Sequence, residues 1–191
     1  MRVPGSILTL TTSNFLKGNA IIGLCSLVDQ SARDAMSEDR ANDCLICRKQ
    51  RGDFYVPGGA IYADDLVYCS HAHLSGDQPA VYLGWLTVET RRHAPGLADL
   101  TNEEGQELGK LIARLSRALR AITNAEHVYA FVLGHGVPHL HVHLIPRYPG
   151  TPREYWGVRI DEWPQAPRGD AQQVSALCDQ LRAFLRQEAA A

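Results

Sequence analysis

The most regular pattern along the chain is a strict alternation of polar and apolar positions at residues 139 to 144. Successive strand residues point to opposite faces, so His139, His141 and His143 line one face. The apolar alternates line the other face, where burial against a core would fix the register: Leu140, Val142 and Leu144. Pro146 cannot donate a ladder hydrogen bond, so we expect the strand to end there. The pattern predicts a strand over residues 137 to 145 that carries three imidazoles on one side.

Two amphipathic helices are indicated by their caps and by 3.6-residue periodicity. Thr101 and Glu104 form a capping box ahead of apolar residues at helical spacing: Leu108, Leu111, Ile112, Leu115, Leu119 and Ile122. Asp170 caps a final helix whose apolar positions are Val174, Leu177, Cys178, Leu181, Phe184 and Leu185. The first helix also carries a basic line, which we interpret as a solvated face: Lys110, Arg114, Arg117 and Arg120.

Short β-rich runs predict further strands. Residues 54–56 and 60–62 flank Pro57-Gly58-Gly59, a hairpin signal. Three more runs fit strands: residues 66–69, 80–88 and 127–133. Between two of them, residues 70–79 are interpreted as a loop with His71 and His73 at the surface. The later segment 148–169 is rich in Pro and Gly, and its Trp156 and Trp163 either pack onto the domain or close over a ligand or partner.

Length and composition predict one folded domain behind an appendage. With 191 residues, 45% of them hydrophobic, the chain can bury one substantial core. Residues 1–41 break from this composition and contain no motif, so we interpret them as an N-terminal appendage, with disorder as one option, ahead of a domain over residues 42–191. The apolar run at residues 20–28 is shorter than the ~20 residues that a membrane span needs.

Charge and cysteine content narrow the class of protein. A net charge of -2 predicts neither a nucleic-acid tract binder nor a protein of acidic membranes, although a small nucleotide could still bind through a few groups. The five cysteines are an odd number and scattered, which favours a reducing cytoplasm over a disulfide framework. Only Cys44 and Cys47 are paired as C-x-x-C, which is half of a zinc site or a pair of buried thiols.

Three kinds of chemistry could use the aligned histidines. They could ligate a metal ion, act as general acid and base near neutral pH, or supply a nucleophile that attacks phosphorus. Alternate strand residues lie ~6.6–6.8 Å apart, so three of them surround one ion less readily than residues from different elements. The central His141 has a histidine on each side, as suits a nucleophile with helpers.

The stretch from His139 to Arg147 resembles the signature of the histidine triad superfamily. Cys44–Cys47, Arg91-Arg92-His93 and the start of the long helix also fit, so the resemblance covers about residues 43 to 148. It implies an α+β fold with a five-stranded antiparallel sheet, usually dimerised into a continuous ten-stranded one. It also implies hydrolysis or transfer of nucleoside monophosphate groups through a nucleotidyl-histidine.

The resemblance assigns roles to individual residues. His141 would be the nucleophile, His143 would assist at the phosphate and the leaving group, and His139 would either do the same or hold a structural ion. Similarity to the zinc-bearing members and to galactose-1-phosphate uridylyltransferase implies four ligands of a structural zinc: Cys44, Cys47, His93 and His139.

One departure affects substrate preference. The family usually has a Gly-Gln step before the triad, whereas here Gly134 is followed by His135, Gly136 and Val137, which we expect to contact nucleotide or phosphate. The preferred interpretation is a homodimeric hydrolase that cleaves at the α-phosphate of a dinucleoside polyphosphate or a related nucleotide. The alternatives are a nucleotidyl transferase or phosphorylase of the same superfamily, and a nucleotide-binding regulatory module.

Overall fold

The computed structural model describes residues 42–72, 80–134 and 136–190. The expected appendage at residues 1–41 lies outside these ranges, as do His73 and His135. In chain order the elements are α1 (Leu45–Arg51), β1 (Ala60–Ala63), β2 (Val67–His71), β3 (Val81–Tyr82), β4 (Leu86–Thr90), α2 (Asn102–Thr123), β5 (His127–Phe131), β6 (His141–Arg147), β7 (Arg168–Gly169) and α3 (Ala171–Ala189). Short 3₁₀ turns lie at Leu97–Asp99, Arg153–Tyr155 and Gly157–Glu162.

Five strands form one antiparallel sheet in the order β1-β2-β4-β6-β5. The strands β3 and β7 form a separate two-stranded ladder. Together with the helices, this sheet confirms the predicted α+β class and its five antiparallel strands. Within the described ranges, no helix is long and apolar enough to cross a membrane.

The core lies between one face of the sheet and the helices α2 and α3. Val88 of β4 is buried there beside Val142 and Leu144 of β6, and the helices contribute Leu115 and Leu181. Both capping boxes are present, with Thr101 accepting from the backbone N–H of Glu104 and Asp170 accepting from that of Gln173. The alternation seen in the sequence therefore places the apolar set of β6 in the core, as predicted.

Two arginines of the basic line on α2 form ion pairs with α3. Arg114 lies 2.9 Å and Arg117 2.6 Å from the Glu188 carboxylate of α3, and Arg114 also donates to the carbonyl of Leu185. The interpretation as a solvated face holds for Arg117, whose side chain is 57% exposed, and is wrong for Arg114, which is 25% exposed where α3 packs against α2. Lys110 pairs within α2 with Glu107.

The predicted hairpin at Pro57-Gly58-Gly59 is wrong, since residues 54–56 form no strand and β1 pairs with β2 instead. The turn has a different cause. Gly58 adopts φ +75° and a Cβ there would lie 2.5 Å from the Sγ of Cys178 on α3. The chain turns at this point to pass close to a helix, which a local signal for strand pairing cannot reveal.

Two predicted strand boundaries also differ. The run at 80–88 divides into β3 and β4 around Gly84, whose φ is +79°. The triad strand begins at His141 and continues through Pro146 to Arg147. Pro146 is tolerated because β4 pairs with β6 only as far as Leu144, so the proline lies beyond the doubly paired part of the strand.

The prediction that His71 lies in a surface loop is wrong, because His71 ends β2 and is fully buried on the core side. Its Nε2 accepts from the backbone N–H of Gly84 at 2.9 Å, which leaves the proton on Nδ1, 2.7 Å from the carbonyl oxygen of Ala72. Burial lowers the pKa of His71, so the imidazole is neutral. The side chain of His71 thus links the end of β2 to the turn at Gly84 that precedes β4.

The aromatic residues of segment 148–169 pack onto the domain. Trp163 lies against a second buried cluster formed by Tyr82, Ile145, Ile160 and Ala166. Trp156 is half exposed, with its indole N–H on the carbonyl of Thr151 and the Arg147 guanidinium 3.9 Å from its ring centre. Packing onto the domain is thus the alternative that the described contacts support.

The two turn glycines provide a matched test of the close approach to α3. Gly58→Ala and Gly59→Ala both place a Cβ in the left-handed region, a strain of about 1–2 kcal/mol. Only the Gly58 variant also collides with Cys178, since nothing lies within 4 Å of a Cβ at Gly59. We expect the free energy of unfolding from urea titration to fall by about 1–3 kcal/mol more for Gly58→Ala. Equal losses would contradict this packing.

Candidate functional site

The side of the sheet opposite the core carries two rows of polar side chains. In one row, Glu89 of β4 pairs in register with His141 of β6, and in the next row Thr87 pairs with His143. Ser70 of β2 extends the second row. Because alternate residues of each strand share a face, the register that directs Val88 and Val142 into the core places these polar groups on the other side of the sheet.

A cavity of about 350 Å³ opens over these rows. Its wall is mainly apolar and its floor is polar, with lining residues Leu45, Ile46, Ala72, Val81, Trp85, Val137, Lys49, Thr87, Glu89, His141 and His143. The volume falls at the small end of the range of about 300–1,000 Å³ for ligand sites. A few convergent polar groups in an apolar pocket are the usual composition of such a site.

The tautomer of His141 is set by its own backbone neighbour. The Nδ1 of His141 lies 2.7 Å from the carbonyl oxygen of His139, which can only accept, so Nδ1 carries the proton. The other ring nitrogen, Nε2, therefore keeps its lone pair. This is the form of imidazole that can attack an electrophile.

The opposite tautomer is imposed on His143. The indole N–H of Trp85 donates to Nδ1 of His143 at 3.0 Å, so the proton of the neutral ring lies on Nε2. Burial lowers the pKa of His143 to about 4, with a further contribution from the neighbouring His141, whose ring centre is 4.8 Å away. At neutral pH His143 is thus an uncharged donor through Nε2.

A second cluster contains the four expected metal ligands. The Nδ1 of His139 lies 3.5 Å from the Sγ of Cys44 and 3.3 Å from that of Cys47, and the Nδ1 of His93 lies 3.5 Å from the Sγ of Cys47. All four ligand atoms lie within 4.8 Å of one another. Tetrahedral zinc with ordinary bond lengths separates sulfur from nitrogen ligands by about 3.5 Å, so both the donor set and its spacing fit a structural zinc ion.

Three elements bring these ligands together. Cys44 caps α1 and Cys47 lies one turn later, while His93 follows β4. The backbone N–H of Leu140 donates to the carbonyl of Ala94 at 2.6 Å, which brings the segments of His139 and His93 side by side. The Nε2 of His139 lies 2.9 Å from the carbonyl of Thr90, an outer contact that directs Nδ1 toward the thiols.

The structure separates the triad. His139 precedes β6, is fully buried and lies with the cysteines, whereas His141 and His143 line the cavity. Of the two roles considered for His139, phosphate contact and binding of a structural ion, this placement favours the second. Among the residues expected to contact phosphate, Val137 lines the cavity, Gly136 is exposed, and His135 is outside the described residues.

Of the eleven residues that line the cavity, sequence reasoning named only Val137, His141 and His143, and it missed four that carry polar side-chain atoms: Lys49, Trp85, Thr87 and Glu89. Trp85 immediately precedes β4, and Thr87 and Glu89 follow on it at alternate positions, across the end of the run 80–88 that was predicted as a strand. Polar residues at period two in that run were the available signal. The sequence contains no comparable signal for Lys49, because α1 contacts the sheet only through tertiary packing.

Comparison with known proteins agrees with this geometry. The model of the HIT domain matches residues 56–150, which contain β6 and both cavity histidines. The chain belongs to this family, the histidine triad proteins. A comparison with curated proteins gives no significant match.

Several solved structures share the fold. A zinc-bound histidine triad family protein from Mycobacterium smegmatis is 20% identical, with a TM-score of 0.57 over 78% of this chain and 98% of that one. A hypothetical histidine triad nucleotide-binding protein from Sulfolobus tokodaii is 18% identical, with a TM-score of 0.57 over 75% and 93%. A Hit-like protein from Bartonella henselae is 18% identical, with a TM-score of 0.55 over 75% and 96%.

The Cys₂His₂ cluster predicts one zinc ion per chain with a structural effect. Cys44→Ser should lower the zinc content measured by elemental analysis and lower the melting temperature, because binding energy at such a site contributes to folding. Cys178→Ala is the matched control, since this buried thiol lies on α3 outside the cluster and its loss should leave zinc content unchanged. Folded protein that carries no zinc would refute the assignment.

Proposed function

We propose that this protein hydrolyses a phosphoanhydride-linked nucleotide at its α-phosphorus through a nucleotidyl-His141 intermediate. The observation that carries this proposal is the opposite tautomers of the two cavity histidines. One ring offers a lone pair and the adjacent ring offers an N–H, which together supply a nucleophile and a donor to a phosphoryl oxygen. The family supports nucleotide chemistry in general, and the proposal adds the bond that is cleaved.

The reaction has two displacement steps. In the first, the Nε2 lone pair of His141 forms a bond to the α-phosphorus while the bond from that phosphorus to the bridging oxygen breaks, and the leaving group departs with its electron pair. In the second, water attacks the same phosphorus, the P–N bond breaks, and the proton of the water is released. Throughout, the carbonyl of His139 holds the Nδ1–H that becomes acidic when the ring is cationic.

The neutral state of His143 favours an anhydride over an amidate as the substrate. With its pKa lowered to about 4, His143 donates a hydrogen bond but has no readily released proton at pH 7. A departing phosphate ester has a pKa of about 6 and leaves as an anion, without protonation. The nitrogen of an amidate must be protonated as it leaves, and a neutral His143 is a poor source of that proton. A dinucleoside polyphosphate is therefore the preferred class.

A nucleotidyl transferase or phosphorylase would share the first step and differ in the acceptor. Product analysis separates them, since hydrolysis in ¹⁸O-water places the label in the mononucleotide, whereas transfer to phosphate gives a nucleoside diphosphate. A regulatory module would bind nucleotide without turnover. Homodimerisation, the N-terminal appendage at residues 1–41 and a cytoplasmic location stay predictions. A continuous dimeric sheet would form through β5, one of the two edge strands of the described sheet.

Removing the nucleophile tests the mechanism most directly. His141→Gln should lower kcat by at least about 10⁴-fold on diadenosine tetraphosphate, because an amide side chain cannot replace the imidazole as the nucleophile. Binding of AMP should persist. His127→Gln, an exposed histidine on β5, is the control and should retain activity.

A denaturing quench at alkaline pH, where the P–N bond of a nucleotidyl-histidine persists, should trap radiolabel on wild-type protein and none on the His141 variant. A variant with wild-type turnover, or label retained in it, would contradict the mechanism.

The protonation state of His143 can be measured without turnover. Its ring should stay neutral until the pH falls through about 4, well below the usual value of about 6.5. Because the folded-state pKa is lowered, the unfolded chain binds more protons between these values and stability should fall as the pH drops through that window. NMR of the imidazole resonances as a function of pH measures this titration, and the His143→Gln variant assigns the resonance of His143.

Trp85→Phe keeps an aromatic wall but removes the N–H that Nδ1 accepts, so the pKa of His143 should rise. An unchanged titration in this variant, or a wild-type midpoint near 6.5, would contradict the assigned tautomer.

A further inference from the structure

One of the residues that line the cavity is a buried charged side chain with no part in the mechanism so far. Lys49 of α1 is 7% exposed and forms an ion pair with Glu89, which is 1% exposed. The other carboxylate oxygen of Glu89 accepts from the side chain of Gln50 at 3.2 Å. A buried ion pair of this kind contributes little net stability compared with apolar packing, so its presence calls for another explanation.

The ammonium group of Lys49 has three hydrogens, and three acceptors surround it. These are the carboxylate of Glu89, the hydroxyl of Ser70 at 3.1 Å and the hydroxyl of Thr87 at 3.2 Å. Lys49 therefore has no remaining hydrogen with which to contact a ligand directly. A hydroxyl that accepts from a cation still has its own O–H to donate, and acceptance from the cation makes that O–H a stronger donor.

The two hydroxyls differ in one respect. Ser70 is fully buried on β2, whereas Thr87 is partly exposed on β4 and lines the cavity. Thr87 also pairs in register with His143, so its side chain lies beside the ring whose Nε2 carries a proton. Thr87 and His143 are thus neighbours across two strands, and both line the cavity.

We propose that Thr87 is a substrate contact that donates its hydroxyl to a phosphate oxygen, and that Lys49 is the positioning residue that polarises it. Glu89 fixes Lys49 against the floor, so the positive charge acts through Thr87 and does not reach the ligand itself. The inference rests on the proposed function, because it assigns the phosphate of that substrate to one place in the cavity. An anion suits the pair of donors, since neither Thr87 nor neutral His143 needs to give up a proton to hold it.

The chain offers a matched pair of variants. Thr87→Val and Ser70→Ala each remove one hydroxyl acceptor of Lys49, and only Thr87 lines the cavity. Calorimetric titration of the full chain with AMP and with inorganic pyrophosphate measures the anion contact. We expect Thr87→Val to weaken both probes about tenfold or more, the usual effect of losing a hydrogen bond to a charged group. Ser70→Ala should change the affinity for either probe less than about threefold. Thr87→Ser keeps the hydroxyl and should have wild-type affinity.

The outcomes separate this inference from the proposed function. Equal weakening by Thr87→Val and Ser70→Ala, at matched melting temperatures, would overturn the contact and leave Lys49 a purely structural cation. Wild-type affinity in Thr87→Val would overturn it as well. A wild-type protein that binds pyrophosphate and not AMP would overturn the nucleotide function, while the same variants would still judge the anion contact. A wild-type protein that binds neither probe would overturn both.

Glu89→Gln adds a readout that a structural role would not change. The amide still offers Lys49 an acceptor but removes the neutralising charge, so pyrophosphate should bind more tightly and with a steeper dependence on salt. Lower affinity in folded Glu89→Gln protein would contradict the electrostatic part of the proposal.

Discussion

The site depends on the pairing register between β4 and β6. With Val88 opposite Val142 and Leu86 opposite Leu144, the apolar alternates of both strands enter the core beneath α2 and α3. The same register places Glu89 beside His141 and Thr87 beside His143 on the other face. A slip of one residue would bury the imidazoles and expose the aliphatic side chains, so burial of the core enforces the geometry of the cavity. The register of β4 and β6 is thus the common requirement of core packing and of the cavity.

The helix α1 connects the metal cluster with the cavity. Its N-terminal residues Cys44 and Cys47 belong to the Cys₂His₂ group, and one turn later Lys49 and Gln50 meet both oxygens of Glu89. A seven-residue helix has little stability of its own, since isolated helices shorter than about 12 residues are marginal in water. Contacts at both of its ends therefore determine where it lies. The metal ligands fix one end, and the buried ion pair fixes the face that lines the cavity.

Much of this arrangement could be predicted from local sequence, because it follows from periodicity and caps. The alternation around His141, the caps of α2 and α3 and the C-x-x-C spacing of Cys44 and Cys47 all depend on short-range spacing. The two histidine ligands of the cluster were expected only from the family resemblance, since they lie far along the chain. The alternation alone could not show that His139 is separate from the cavity, since it places all three imidazoles on one face, whereas the strand begins only at His141. Lys49 and Trp85 were missed for a related reason. Their partners Glu89 and His143 lie 40 and 58 residues away, and only the sheet register brings them together.

The electrostatics of the cavity explain why a site for an anionic ligand can have so little net positive charge. Lys49 is balanced by Glu89, and the lowered pKa leaves His143 neutral. In the proposed reaction, attraction for phosphate therefore comes from oriented donors, the O–H of Thr87 and the N–H of His143, and not from a free cation. Fixed dipoles in an apolar cavity need little rearrangement when charge develops on the phosphoryl oxygens, which is the condition under which they stabilise a transition state best.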